Sequence, residues 1–131
     1  MKKLIYYSLY IFFFCFLFGC SKDDNNPSKK SEYEVTYKTI IPTGFIATAS
    51  YNTNETVELA DGGQNITGTW QKIVTIKSGQ SINFEVNAHP IDVNSTATAE
   101  LVSQIIIENK IVREQKKSGN ILVTQVSYEL P

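Results

Sequence analysis

The residues Ser81-Ile82-Asn83-Phe84-Glu85-Val86-Asn87 alternate without a break, with Ile82, Phe84 and Val86 in one set and Ser81, Asn83, Glu85 and Asn87 in the other. Only an extended backbone, whose side chains point to opposite faces in turn, gathers such sets onto two sides. A helix would scatter them around its axis. The stretch therefore demands a strand with one buried and one solvated face, and any fold for this chain must supply a sheet.

The same rhythm recurs along the chain. In Glu32-Tyr33-Glu34-Val35-Thr36-Tyr37-Lys38 the apolar members are Tyr33, Val35 and Tyr37, and the others are charged or polar. Phe45, Ala47, Ala49 and Tyr51 form a second set. Trp70, Val74 and Ile76 share a face with Lys72 between them, and Ser78-Gly79 is a turn, so this strand and the 81–87 strand are expected to pair as a hairpin. Leu101, Ser103, Ile105 and Ile107 are the next inward set, followed by a turn at Glu108-Asn109, where Asn109 can take a left-handed conformation. The chain returns over Ile111–Gln115, turns again over Lys116–Asn120, and closes with Leu122, Val126, Tyr128 and Leu130. Residues 88–99 read as a loop. No segment keeps a helical period. The expected fold is all-β: an antiparallel sandwich of about seven to eight strands.

The first 31 residues obey other rules. Lys2 and Lys3 precede an uncharged apolar run from Leu4 to Phe18. As a helix that run would reach roughly 22 Å at 1.5 Å per residue, short of the ~30 Å bilayer core. Its length suits the apolar centre of a secretory signal better than an uncleaved membrane anchor. Residues 21–31, "SKDDNNPSKKS", hold no apolar side chain except the proline, so they read as a flexible tether. The expected division is a signal over 1–19, a linker over 20–31 and a β-sandwich domain over 32–131.

Leu17-Phe18-Gly19-Cys20 resembles the lipobox of bacterial lipoproteins. That resemblance implies lipidation of Cys20, removal of the signal before it, and membrane attachment through acyl chains. The following Ser21, Lys22, Asp23 and Asp24 resemble the export signal of Bacteroidetes surface lipoproteins, which implies an outer-membrane location, facing outward. The domain itself resembles the MmpS-like family. The likeness is carried by Tyr33-Glu34-Val35, Tyr51-Asn52, Trp70-Gln71-Lys72, Val74-Thr75-Ile76-Lys77-Ser78-Gly79 and the hairpin around Ile107-Glu108-Asn109-Lys110-Ile111-Val112. It implies a small immunoglobulin-like sandwich without catalysis. Mycobacterial members are held by a transmembrane helix and serve large lipid exporters as accessories.

Charge and composition exclude several classes. Of 12 basic side chains, Lys2 and Lys3 leave with the signal, so 10 face 13 acidic ones and the balance is −3. Nucleic acid is not an expected partner, because phosphate binding needs clustered Lys and Arg. The two cysteines are Cys15, inside the signal, and Cys20, so the domain has neither a disulfide nor a free thiol nucleophile. His89 is the single histidine, and it is placed in the 88–99 loop. No zinc site can be assembled from the usual ligands, and no serine near His89 and Asp92 has a nucleophile-elbow context. Asp61-Gly62-Gly63 offers one carboxylate, far short of the oxygen ligands calcium takes. Asn54, Asn65 and Asn94 begin glycosylation-type triplets that read as polar loop residues. Trp70 is either core or a stacking platform for a sugar or a partner side chain, and Lys72 on the same face keeps that face from being wholly buried. Trp70 and Lys72 are the expected binding surface.

The expectation is a non-enzymatic binding or accessory lipoprotein with no cofactor. Its partners are the membrane, through the lipid anchor, and a protein or glycan of the cell envelope. The alternatives are an envelope protein of purely structural role and a surface glycan- or protein-binding lipoprotein with no part in transport.

Overall fold

The computed structural model describes residues 30–131. Cys20, the residues Ser21, Lys22, Asp23 and Asp24, the 1–19 segment and the linker up to residue 29 lie outside the described residues. Eight strands follow in order: β1 (Glu32–Ile40), β2 (Phe45–Asn52), β3 (Val57–Leu59), β4 (Thr69–Lys77), β5 (Ser81–Pro90), β6 (Ala99–Ile107), β7 (Lys110–Gly119) and β8 (Leu122–Glu129). They form two four-stranded antiparallel sheets, β4-β1-β6-β7 and β3-β2-β5-β8. The sheets face each other as an immunoglobulin-like β-sandwich.

The alternating sets become the core. Val35, Tyr37, Leu101, Ile105 and Ile76 come from one sheet, and Phe45, Tyr51, Ile82, Phe84, Val86, Leu122 and Val126 from the other, all buried. Each such side chain contributes on the order of 1.5–3 kcal/mol when removed from water. Shifting any of these strands by one residue would exchange its buried set for its solvated one, so the pattern fixes register as well as face. The Glu108-Asn109 turn joins β6 to β7 with both residues left-handed, at φ 50° and 64°. Two such residues make the turn whose twist suits a two-residue hairpin, and Asn tolerates that region better than most side chains. Lys30 pairs with the Glu108 carboxylate, and this hydrogen bond and charge hold that carboxyl below the usual carboxylate range.

Three expectations change, and one strand is new. β4 and β5 are not a hairpin: β4 pairs with β1 in one sheet, and β5 pairs with β2 and β8 in the other. The Ser78-Gly79 turn crosses between the sheets, where the Ser78 amide donates to the Ser31 carbonyl and the Gly79 amide to the Leu130 carbonyl. Residues 88–90 belong to β5, with Ala88 opposite Ala47, His89 opposite Ile46 and Pro90 opposite Phe45, so the loop begins at Ile91. Lys116 to Gly119 continue β7 beside β6, and the turn narrows to Asn120-Ile121. Finally, β3 pairs with β2 through Val57, Glu58 and Leu59, three exposed residues with no alternation to betray them.

The two flanks of the sandwich differ. On one, β7 and β8 are laced together: the Gln125 amide donates to the Gln115 side-chain oxygen at 2.6 Å, and the Arg113 guanidinium lies 5.2 Å from the Tyr128 ring centre. On the other, the edge strands β3 and β4 stand apart. There Asn54 reaches across, donating from Nδ2 to the Thr75 carbonyl and accepting the Lys77 amide at Oδ1, at 2.8 and 2.9 Å. An amide side chain thus takes the place of a neighbouring strand and shields that end of β4 from edge pairing.

Candidate functional site

Above Asn54 the open flank holds a cleft of about 450 Å³, lined by Tyr51, Glu58, Leu59, Asp61, Trp70 and Lys72 among others. Three pieces of chain build it. β4 places Trp70 and Lys72 two residues apart, hence on one face. β2 supplies Tyr51, and β3 runs alongside with Glu58 opposite Tyr51. A short 3-10 turn over Ala60–Gly63 then carries Asp61 across toward β4. Asp61 and Gly62 both sit in left-handed backbone, at φ 47° and 69°, a reversal that glycine accepts freely and aspartate better than most residues.

Beneath the cleft lies an aromatic stack. The Trp70 ring lies nearly parallel to Phe84, 23° apart with centres 6.1 Å distant, and tilts against Tyr51 at 5.7 Å. Tyr37 packs against both Tyr51 and Phe84, at 5.3 and 5.4 Å. The deep end is wholly buried, while Trp70 is half-buried at the surface. Trp70 is therefore both a core residue and a wall of the cleft, so the two readings offered by its sequence position coexist.

The polar groups are held in place. The Trp70 indole N–H donates to Asp61 Oδ1 at 3.2 Å, and the Tyr51 hydroxyl donates to Glu58 Oε2 at 2.8 Å. Each carboxylate keeps a second oxygen with acceptor capacity. Burial pushes the Tyr51 hydroxyl up to about 12, helped by its hydrogen bond to Glu58 and by the charges of Glu58 and Asp61. Burial also raises the Tyr37 hydroxyl, which donates to the Asn52 carbonyl at 2.9 Å.

This yields a pH prediction. Below pH 10 Tyr51 is protonated in both folded and unfolded chains, and its contribution to stability is complete. Between pH 10 and about 12 the unfolded chain releases a proton that the folded chain retains, so stability falls as pH rises through that window. Urea unfolding at pH 9 and pH 11.5 should therefore show a steeper alkaline loss in the wild type than in Tyr51→Phe. Equal losses would refute the assignment.

Trp70 and Lys72, expected as a surface, are thus brought together with three residues that sequence reasoning did not assign to it. Tyr51 could be read as strand packing or as a contact surface but was not tied to Trp70, Glu58 sits on the unrecognised β3, and Asp61 was read as a loop carboxylate. The remaining candidates stay apart from this cleft. His89 is exposed on β5, and its Nδ1–H donates to the Pro90 carbonyl at 3.0 Å. Asp92 accepts the Asn94 amide at 3.0 Å. Among the described residues no three His, Cys, Asp or Glu side chains are gathered to hold a metal ion. No helix among them is long and apolar enough to cross a membrane.

Compared with known protein families and with curated proteins, the chain matches none. Fold and site together define its class: a small immunoglobulin-like β-sandwich that carries an aromatic, carboxylate-bearing cleft on its β3–β4 flank, an arrangement suited to binding.

Proposed function

We propose that this chain is a lipid-anchored, non-enzymatic binding or accessory module of a bacterial outer membrane, and that it meets its partner through the β3–β4 cleft. The observation that carries the reading is the contrast between the flanks: one is laced shut by Gln115 and Arg113, and the other holds fixed acceptors beside an indole. The position suits display. Glu32 opens β1 where the linker arrives, and Lys72 stands opposite Tyr37, five residues along β1. At ~3.3 Å per residue that is roughly 17 Å from the linker. Anchoring at Cys20 would raise the local concentration of the cleft at the membrane.

The resemblance to MmpS-like domains supports an accessory part in envelope transport as the finer version of this reading. A structural envelope protein that associates through its sheet edges fits less well, because Asn54 and Gln115 occupy two of those edges.

The test has two arms in cells producing the full chain. Labelled palmitate should enter the wild type and not Cys20→Ala; label in both would sink the anchor. A photo-crosslinking amino acid in place of Lys72 should give a discrete envelope adduct, whereas one in place of Lys117 on β7 should not. Equal adducts at both positions, or none at 72, would sink the cleft as the contact site.

A further inference from the structure

We infer that the occupant of the β3–β4 cleft is a neutral pyranose sugar of a glycan, an inference that rests on the cleft being the contact site. The groups present select this chemistry. An indole wall offers a flat apolar surface, which the C–H face of a pyranose ring can cover. Sugar hydroxyls are donors, and the cleft presents Glu58 and Asp61, which accept. Each carboxylate is already oriented by one aromatic donor, Tyr51 or Trp70, so its second oxygen is positioned before any ligand arrives. Hydrogen bonds to an ionised acceptor are stronger than neutral ones. Lys72 adds a cationic donor for hydroxyl or ring oxygens on the same wall. The volume of about 450 Å³ falls within the ~300–1,000 Å³ of ordinary small-ligand sites.

The same groups disfavour the other ligand classes. An anion would meet two carboxylates against one ammonium. A purely apolar ligand would cover the carboxylates without satisfying them, at a desolvation cost. A Lys or Arg side chain of a partner would suit the indole and the carboxylates, but Lys72 stands beside Trp70 on the same strand and opposes it. A neutral polyhydroxylated ring uses all the groups at once.

Trp70 is the only tryptophan in the chain, so its fluorescence reports on this cleft alone. The full chain, extracted in a detergent without a sugar headgroup, is titrated with a panel of neutral gluco-, manno-, galacto- and chito-oligosaccharides. A peptide rich in Lys and Arg is titrated separately. At least one oligosaccharide should give a saturable change. Its affinity should fall at least fivefold in Glu58→Gln and in Lys72→Ala, two exposed positions whose replacement leaves the core intact, and about tenfold in Trp70→Phe, read by calorimetry. Silence across the whole sugar panel overturns the inference, as does binding that these three variants leave unchanged. A response to the cationic peptide alone, with the position-72 adduct still formed, overturns the sugar and leaves the cleft standing. Loss of that adduct instead overturns the reading beneath it.

Discussion

Replacing Phe84 with Ala should cost about 3–5 kcal/mol, the usual range for emptying a buried aromatic position. Phe84 has no solvent exposure and touches Tyr37 on one side and Trp70 on another, so it joins the deep core to the wall of the cleft. The cavity left by its ring cannot collapse easily, because Tyr37 is held by its hydroxyl to the Asn52 carbonyl and Tyr51 by its hydroxyl to Glu58. A domain of this size commands only ~5–15 kcal/mol in total, and each kcal/mol is worth roughly 4–8 °C in Tm. The melting temperature should therefore fall by about 12–40 °C. Trp70, deprived of its stacking partner, should emit further to the red even in the folded state. Ile73→Ala on the exposed face of β4 is the control, with an expected cost below about 0.5 kcal/mol. Thermal unfolding followed by far-ultraviolet circular dichroism would measure both. A Phe84→Ala domain that melts within a few degrees of the wild type would mean that the aromatic stack is not what holds the two sheets together at this flank.

The alternation that placed Phe84 in the core was plain in the sequence, and its partner strand was not. Period-two patterning states which side chains face inward, because burial acts on each residue separately. It says nothing about which strand lies alongside. The Ser78-Gly79 turn between two alternating strands therefore suggested a hairpin. The chain instead passes from one sheet to the other there, and the turn's amides are satisfied by Ser31 and Leu130, which come from distant parts of the sequence. At Glu108-Asn109 the same kind of inference held, since a two-residue turn with two left-handed residues leaves the chain little choice but to double back on itself. β7 was cut short for another reason. As an edge strand it is exposed almost throughout, so Lys116 and Lys117 carry the composition of a turn while pairing with Val102 and Leu101.

The cleft was half legible. Trp70 and Lys72 lie two apart on one strand, and strand geometry alone puts them on one face. Glu58 and Asp61 reach them only because β3, an exposed three-residue strand, and a left-handed reversal after it bring another part of the chain to the edge of β4. Nothing in local hydrophobicity encodes that approach. Asn54 shows the same limit: its place in a glycosylation-type triplet suggested only a polar loop residue, while its use is to close the end of an edge strand.

The polar residues inside the core give the second large effect. Ser103 was legible as a member of the inward set of β6; Thr124 occupies an inward slot of β8 that a purely apolar reading passes over. In the fold both are fully buried, with Thr39, and their hydroxyls meet between the sheets. Thr39 Oγ1 donates to the Val102 carbonyl at 2.9 Å, Ser103 Oγ donates to Thr39 Oγ1 at 3.5 Å, and Ser103 Oγ lies 2.6 Å from Thr124 Oγ1. Because a carbonyl can only accept, the Thr39 proton is committed to Val102. The short Ser103–Thr124 contact is the strong link of the chain and can be donated from either hydroxyl, while the 3.5 Å contact to Thr39 is long for O–H···O. The chain of hydroxyls joins β8 in one sheet to β1 and β6 in the other. Ser103→Ala removes the hydroxyl in its middle and strands the buried Thr124 hydroxyl, at a cost of about 1–3 kcal/mol. Thr124→Val alone removes a terminal hydroxyl, keeps the shape, and should cost less than about 1 kcal/mol. The double variant removes the stranded hydroxyl together with its former partner, so it should be more stable than Ser103→Ala, a non-additivity that a double-mutant cycle in urea measures directly. If the two losses simply add, the hydroxyls are satisfied independently and the sheets are held in register by apolar packing alone.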